Sequence, residues 1–258
     1  MLTPVTLFFA TIVKLGIFSF FVRILFFLLG TKLFIFFWQP LFLFVASGSI
    51  IFGALGALVQ TKIKRFVGYT SINQMGYLFI GISSGTSLGL QTSFVFLYLY
   101  LVMTILFLSI LLYVNDFHTG KDVLFINQLN LFGSRHRNLS VILAIVLFSM
   151  AGIPPLAGFF GKFLLLFSAY QAGNYSLVFL GLSLNVISAF YYLRFVKCMF
   201  FEKVQITENF VYSFFLGRTL DAFVFNNFLA YLLFFLLFTP FFLNEFLFFA
   251  DIVGSSSH

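Results

Sequence analysis

Long apolar runs separated by short polar segments dominate this sequence. A transmembrane helix needs about 20 mostly apolar residues, and seven stretches of the chain meet that requirement. They are residues 4–29, 34–60, 64–84, 88–114, 139–171, 175–201 and 223–249. The pattern therefore predicts an all-α membrane protein with seven transmembrane helices.

The fifth run, 139–171, is too long for one straight span and contains Gly152, Pro154 and Pro155. Proline lacks the backbone N–H and clashes with the preceding helical turn. In lipid, such a break is tolerated only where the freed backbone groups are satisfied within the protein. We therefore expect this helix to break in mid-membrane at Gly152–Pro155 and to restart near Pro155.

The composition excludes several classes of protein. The chain is 62% hydrophobic and 8% charged, whereas soluble domains are about 25% charged, so a water-soluble globule is excluded. The single cysteine, Cys198, excludes a disulfide framework and a Cys-ligated Fe–S centre. The three histidines, His118, His136 and His258, lie in polar segments. We therefore expect no catalytic, cofactor-binding or metal site in this chain.

Positive charge lies at one set of alternate loops and helix ends, and the formal net charge is +7. The basic residues there are Lys62, Lys64, Arg65, Lys121, Arg135, Arg137, Arg194, Lys197, Lys203 and Arg218. The opposite loops hold little beyond Lys32. The positive-inside rule therefore predicts an N-terminus on the matrix or cytoplasmic side and a C-terminus on the other, with no role in nucleic-acid binding.

Two lysines lie deep inside apolar runs, with no Asp or Glu at comparable depth. Lys14 is ten residues into its span, about 15 Å along the axis, and Lys162 follows Pro155 by seven residues. Each costs about 2.5–3.5 kcal/mol on membrane-insertion scales. One interpretation is a pair of titrating proton relays in hydrated cavities. The alternative is structural, with lysines bound to backbone carbonyls freed at the helix break.

A polar strip marks the third span. Thr70, Asn73, Gln74 and Tyr77 recur at helical spacing on one face, which suits the ordering of water. The predicted strip comprises Thr70, Ser71, Gln74, Tyr77 and Ser149, with Asn185 and Ser188 as further candidates. The alternative is interhelical hydrogen bonding, worth about 0.6 kcal/mol per contact.

Three other features have ordinary interpretations. The small residues of 53–57 predict a helix-packing face. Tyr191, Tyr192 and Arg194 predict a belt at the membrane interface. Glu245, near the end of the last span, is interpreted as a surface contact or as a lateral proton exit.

Several motifs resemble a known family. They are Thr3-Pro4-Val5-Thr6 leading to Lys14, Gln60-Thr61-Lys62-Ile63-Lys64-Arg65, Tyr69-Thr70-Ser71-Ile72 with Gly76-Tyr77, Ser149-Met150-Ala151-Gly152-Ile153-Pro154-Pro155 with Gly161-Lys162-Phe163, and Ser188-Ala189-Phe190-Tyr191-Tyr192-Leu193-Arg194. They resemble the antiporter-like subunits of respiratory complex I, and subunit 2 of NADH:ubiquinone oxidoreductase in particular. The resemblance runs from residue 3 to about residue 203.

The resemblance implies a domain organisation. Family members usually have fourteen spans in two inverted five-helix repeats, and this chain would correspond to spans eight to fourteen, the C-terminal half. Residues 1–30 would form the first span, which packs with a partner chain, and 31–203 the five-helix repeat. A polar linker, 204–222, and a last span with a short tail, 223–258, would follow. A separate chain from a split gene would supply the N-terminal half, beside other membrane-arm subunits and lipids such as cardiolipin.

By position, the resemblance makes Lys14 the central lysine of span eight and Lys162 the lysine of the broken span twelve, which faces the outward half-channel. It implies a proton-translocating subunit, with NADH, flavin, Fe–S centres and ubiquinone bound elsewhere in the complex. Gln74 stands where many relatives carry a histidine, and an amide does not titrate near neutral pH. A non-pumping structural subunit and a subunit of a cation/proton antiporter complex remain alternatives. The 45 phenylalanines are typical of AT-rich organellar coding, so we expect the mitochondrial inner membrane.

Overall fold

The computed structural model describes residues 3–28, 37–118, 125–129, 132–135, 137–201 and 219–242, and these ranges are almost entirely helical. Its helices are α1 (Thr3–Leu28), α2 (Gln39–Val59), α3 (Ile63–Ser83), α4 (Ser87–His118), α5 (Phe132–Arg135), α6 (Arg137–Ala151), α7 (Ala157–Gln171), α8 (Tyr175–Phe200) and α9 (Thr219–Phe238). Short 3₁₀ helices cover Ile126–Leu129 and Thr239–Phe242. Within the described ranges, β-pairing is limited to an isolated bridge between Lys62 and Phe125. The all-α prediction is confirmed.

Four helical segments in the described part are long and apolar enough to cross a membrane. They are Val5–Ile24, Gln39–Val59, Ser87–Tyr113 and Tyr175–Phe200. Helix α3 has 21 residues, but its polar strip lowers its hydropathy. Helices α6 and α7 have 15 residues each, or about 22 Å, so neither crosses a bilayer alone. The membrane character is clear, and the count of seven spans stays a prediction.

Contacts at the helix ends give the relative directions of α2, α3 and α8. At one end, the Arg194 guanidinium donates to the Leu58 carbonyl at 3.1 Å, and the Ile126 amide donates to the Thr61 carbonyl at 3.0 Å. At the other end, the Asn174 side chain donates to the Ser83 carbonyl at 3.5 Å. Helices α2, α3 and α8 therefore alternate in direction, and their basic ends lie together. The side of the membrane that this end faces stays a prediction.

The small residues of α2 let α3 approach closely. A Cβ added to Gly53 would lie 2.5 Å from the Asn73 backbone nitrogen, and one added to Gly56 would overlap the ring of Tyr69. No side chain larger than hydrogen fits there without a shift of the helices. The predicted helix-packing face is confirmed.

The broken helix divides at the predicted place. Helix α6 ends at Ala151 and α7 begins at Ala157. Gly152 has a φ of 80°, a left-handed conformation that favours glycine, and its amide donates to the carbonyls of Phe148 and Ser149 at 3.1 and 3.0 Å. The Ser149 hydroxyl accepts a hydrogen bond from the Gly158 amide at 3.1 Å. Ser149 therefore ties the end of α6 to the first turn of α7.

The two ends of the chain are described only in part. Helix α1 contacts α4 but leaves large apolar side chains exposed, among them Phe8, Phe9, Ile12, Leu15, Ile17 and Phe20. Helix α9 begins at Thr219, four residues before the predicted span. Most of the predicted linker, 204–222, and Glu245 lie outside the described residues. The domain limits therefore stay predictions.

The close approach of α2 and α3 gives a test of the packing. We expect Gly53→Ala to destabilise the protein by roughly 1–3 kcal/mol, because the added methyl group overpacks the contact with Asn73. Gly48→Ala on the same helix meets nothing within 4 Å, and alanine favours helix by about 1 kcal/mol, so its stability should be equal or higher. The midpoint of thermal denaturation, measured in detergent with native partners retained, checks this. Equal midpoints for the two variants would contradict the packing described here.

Candidate functional site

Lys162 lies in the centre of the bundle with 3% of its surface exposed. Its Nζ donates to the Met150 carbonyl at 2.9 Å, the Ala151 carbonyl at 3.3 Å and the Asn185 Oδ1 at 2.7 Å. The face of the Tyr77 ring lies 5.1 Å from the same nitrogen. Three acceptors match the three N–H groups of an ammonium, and an aromatic face attracts a cation. The site is therefore shaped for the charged form of lysine.

The two backbone acceptors come from the helix break. The last carbonyls of an α-helix have no partner within it, and the C-terminal end carries partial negative charge. Met150 and Ala151 are the last two residues of α6, so their carbonyls suit a cation. These are the contacts that the structural alternative predicts. They are compatible with a proton relay too, so the relay function stays a prediction.

The polar face of α3 is buried as its spacing predicts. Thr70, Asn73, Gln74 and Tyr77 are each at most 8% exposed. The Gln74 amide nitrogen lies 3.4 Å from both the Met150 carbonyl and the Tyr192 hydroxyl. The Tyr77 hydroxyl donates to the Gly181 carbonyl at 2.8 Å. Gln74 therefore contacts the same carbonyl that Lys162 does.

Two oxygen atoms on this face are buried without a hydrogen-bond partner in the described part of the chain: Asn73 Oδ1 and Gln74 Oε1. The Met150 carbonyl can only accept, so the Gln74 amide must turn its nitrogen towards it and leave its oxygen unbound. A buried acceptor without a donor costs about 1–3 kcal/mol. Buried water usually binds such groups, which agrees with the predicted ordering of water.

Two members of the predicted strip lie elsewhere. Ser71 donates to the Gly68 carbonyl at 2.8 Å and is partly exposed. One residue further along a helix turns the side chain by about 100°, so Ser71 leaves the face that holds Thr70. Ser149 is buried, but its hydroxyl contacts Met103 Sδ at 3.1 Å and the Gly158 amide. Ser149 therefore supports the helix break and does not face Gln74.

Lys14 is half-buried on α1 and its Nζ donates to the Tyr100 hydroxyl at 2.7 Å. The same nitrogen lies 4.9 Å from the centre of the Tyr100 ring. Tyr100 also lines a small cavity, with room on the order of one water molecule, together with Phe66, Val67, Thr70, Thr104, Phe107, Leu108, Met150 and Tyr192. The cavity therefore lies between the tyrosine bound to Lys14 and the tyrosine bound to Gln74.

The predicted interfacial belt at Tyr191 and Tyr192 is wrong. Both are buried, at 2% and 1% exposure, and Tyr191 accepts a hydrogen bond from the Asn73 side chain at 3.0 Å. Only Arg194 is exposed, near the end of the bundle. Helical spacing from Asn185 and Ser188 would have indicated the true face, because residues three or four apart are neighbours. Tyr100 carried no comparable signal in its apolar run.

Comparison with known proteins adds to this geometry. Residues 2–188 match the family described as "NADH:quinone oxidoreductase/Mrp antiporter, TM". The match covers more than half of the 258 residues. The chain belongs to this family.

Within the family, the chain is similar to one kind of subunit. NADH-quinone oxidoreductase subunit N of Pelagibacter ubique is 40% identical over 201 residues, which are 78% of this chain and 42% of that protein. NADH-ubiquinone oxidoreductase chain 2 of Arabidopsis thaliana is 39% identical over 201 residues, 78% of this chain and 38% of that protein. This chain thus spans about two fifths of the length of these relatives. The resemblance to subunit 2 is confirmed.

A solved structure agrees with the sequence comparison. A chain of respiratory complex I from Thermus thermophilus, solved with bound aureothin, has a TM-score of 0.64 and 25% identity to this chain. The likeness covers 80% of this chain and 45% of that one. The helical fold of this chain is therefore similar to that of a chain of that complex.

Gly152 gives a test of the geometry around Lys162. Gly152 and Gly173 both have a φ of 80°, so alanine at either position costs about 1–2 kcal/mol of backbone strain. A Cβ at Gly152 would also lie 3.2 Å from Lys162 Cδ and 3.5 Å from its Nζ, whereas one at Gly173 meets nothing within 4 Å. We expect Gly152→Ala to lower the thermal denaturation midpoint more than Gly173→Ala does. Equal losses would contradict the contact between Gly152 and Lys162.

Proposed function

We propose that this chain is a proton-translocating subunit of the membrane arm of respiratory complex I, and that Lys14 and Lys162 relay the protons. The observation that carries the proposal is Lys162, a lysine at 3% exposure bound at a helix break by neutral acceptors. All seven Asp and Glu residues lie outside the part of the chain whose side chains the structure describes. A cation without a buried carboxylate beside it can lose its proton without leaving an unpaired anion.

The proposed relay begins at Lys14. The proton reaches Lys14 from the side of the partner chain, where α1 has its exposed surface. Water ordered by Thr70, Gln74 and Tyr77 would carry it inwards, past the cavity between Tyr100 and Tyr192. Charge on one lysine disfavours charge on another nearby, so a proton that arrives on Lys14 would favour release of the proton held by Lys162.

Lys162 is the proposed exit group. When Lys162 is charged, its three acceptors are filled. When the proton leaves towards the outward side, one acceptor loses its donor and the site favours rebinding. The site would thus return to its charged form after each release.

We further propose which partner chains and which membrane surround this relay. A separate chain would supply the N-terminal half of the subunit and cover the large apolar side chains that α1 leaves exposed. The complex would lie in the mitochondrial inner membrane, with the basic end of the bundle in the matrix. NADH, flavin, Fe–S centres and ubiquinone would bind to other subunits, and cardiolipin would fill interfaces.

A second candidate function is that of a non-pumping structural subunit of the same complex. The carbonyls of Met150 and Ala151, which accept from Lys162, favour it, because they give the lysine a role in closing the helix break. A third candidate, a cation/proton antiporter complex, shares the family description. Sodium-dependent pumping would favour the third candidate.

The relay is tested by Lys162→Met and Lys14→Met in the assembled complex. We expect normal assembly, with proton pumping coupled to NADH oxidation lowered by roughly tenfold or more, because removal of a proton-transfer group typically costs 10²–10⁴-fold. Lys197→Met, at an exposed position on α8, is the matched control and should pump normally. Proton uptake per NADH in proteoliposomes, and native gels for assembly, are the measurements.

The same variants separate the candidates. If Lys162→Met lowers the amount of complex but leaves the protons pumped per NADH unchanged, the structural function is correct. If it assembles and pumps normally, the relay proposal fails.

The proposed partner is tested by native purification. We expect a second chain to co-migrate with this one and to carry a glutamate in a span and a proline-broken helix with a lysine. Purification in mild detergent followed by mass spectrometry identifies it. If this chain purifies without such a second chain, the split-subunit proposal is contradicted, whether or not the chain pumps protons.

A further inference from the structure

Asn185 on α8 makes the shortest hydrogen bond to Lys162. Its Oδ1 lies 2.7 Å from the Lys162 Nζ, against 2.9 and 3.3 Å for the two carbonyls. The Ser188 hydroxyl lies 2.7 Å from the Asn185 carbonyl and 3.3 Å from the same Oδ1, and its one hydrogen can go to either. The side-chain oxygen of Asn185 therefore faces both Lys162 Nζ and the Ser188 hydroxyl.

Asn185 is the one side-chain acceptor among the three described partners of Lys162. The two carbonyls belong to the helix break and accept a hydrogen bond whatever residue stands at those positions. An ammonium has three N–H donors, whereas a neutral amine has two and a lone pair that needs a donor. The third acceptor therefore favours the ammonium over the amine.

Among the residues whose side chains the structure describes, the other neighbours of Lys162 carry no charge. From α3 the titratable Tyr77 presents its ring face and bonds its hydroxyl to Gly181. At the helix break, a Cβ added to Gly152 would lie 3.5 Å from both Lys162 Nζ and Asn185 Nδ2, so the backbone of Gly152 is a close neighbour of both groups. From α4, Phe96 and Leu99 pack against the neighbouring Gly161. Among the described side chains, the amide of Asn185 is thus the polar group that distinguishes the two protonation states.

We propose that Asn185 is a positioning residue that sets the protonation state of Lys162. This inference rests on the proposed relay. Without Asn185 the buried ammonium keeps two acceptors, and a buried charge with an unfilled donor is costly. Lys162 would then give up its proton at a lower pH.

The test is the pH profile of proton pumping in the assembled complex. In Asn185→Leu, which removes the acceptor at similar size, we expect the alkaline limb to move to lower pH by about one to two units, which corresponds to the free energy of one hydrogen bond to a charged group. In Asn185→Asp, an anion beside Lys162 should move the limb to higher pH. An unchanged alkaline limb in Asn185→Leu overturns the proposal. If Asn185→Leu fails to assemble, an unchanged alkaline limb in Asn185→Asp overturns it.

A matched control separates this role from a structural one. Asn174→Leu also removes a partly buried asparagine, but its side chain donates to the Ser83 carbonyl at 3.5 Å and not to Lys162. We expect it to lower stability without moving the alkaline limb. An alkaline limb that moves equally in Asn174→Leu overturns the assignment to Asn185.

A second measurement keeps this inference distinct from the relay itself. If Lys162→Met pumps normally, the relay fails, and the contact is judged by thermal denaturation midpoints of Asn185→Leu in the wild-type and Lys162→Met backgrounds. A stability loss that disappears in Lys162→Met shows that Asn185 acts on the ammonium. A loss that is the same in both backgrounds overturns the proposal.

Discussion

A buried ammonium must be surrounded by acceptors, and the centre of this bundle is arranged around that requirement. The break between α6 and α7 provides two carbonyls that no intact helix could offer, and α8 adds the amide of Asn185. Helix α3 covers the remaining side with the ring of Tyr77. The positions of four helical segments are thus linked through one nitrogen atom, and the removal of any one acceptor would leave a buried ammonium with an unfilled N–H donor.

The Met150 carbonyl extends this arrangement towards the other lysine. It accepts from Lys162 at 2.9 Å and from the Gln74 amide at 3.4 Å, so a change of charge on Lys162 alters the field at Gln74. Gln74 in turn contacts the Tyr192 hydroxyl, which lines the same cavity as Tyr100. Tyr100 accepts from Lys14. Hydrogen-bonding groups therefore connect Lys162 to Tyr192 and Lys14 to Tyr100, and the cavity separates these two tyrosines.

The sequence was sufficient for features that cost free energy in lipid. The break at Gly152–Pro155, the burial of Lys162 and the polar face of α3 all follow from residues that an apolar span does not tolerate without a partner. The inward face of α8 was predicted at Asn185 and Ser188 but missed at the two tyrosines, because hydropathy does not orient a helix whose two sides meet lipid and protein, both apolar. Tyr191 and Tyr192 were therefore assigned to the interface, and the pairing of Asn185 with Lys162 depended on the relative positions of α7 and α8.

Gln74 limits how a proton could pass along the polar face. Its two amide hydrogens are directed at the Met150 carbonyl and the Tyr192 hydroxyl, so its nitrogen has no donor to spare. Its oxygen is the unbound acceptor, and an amide neither takes up nor releases a proton near neutral pH. A passing carrier must therefore present a hydrogen to Oε1 while the proton itself travels on another group. Under the proposed relay, water that donates one hydrogen to Gln74 and keeps its other bonds for transfer would meet both conditions. Gln74 would then orient the water, and the lysines on either side would take up the proton.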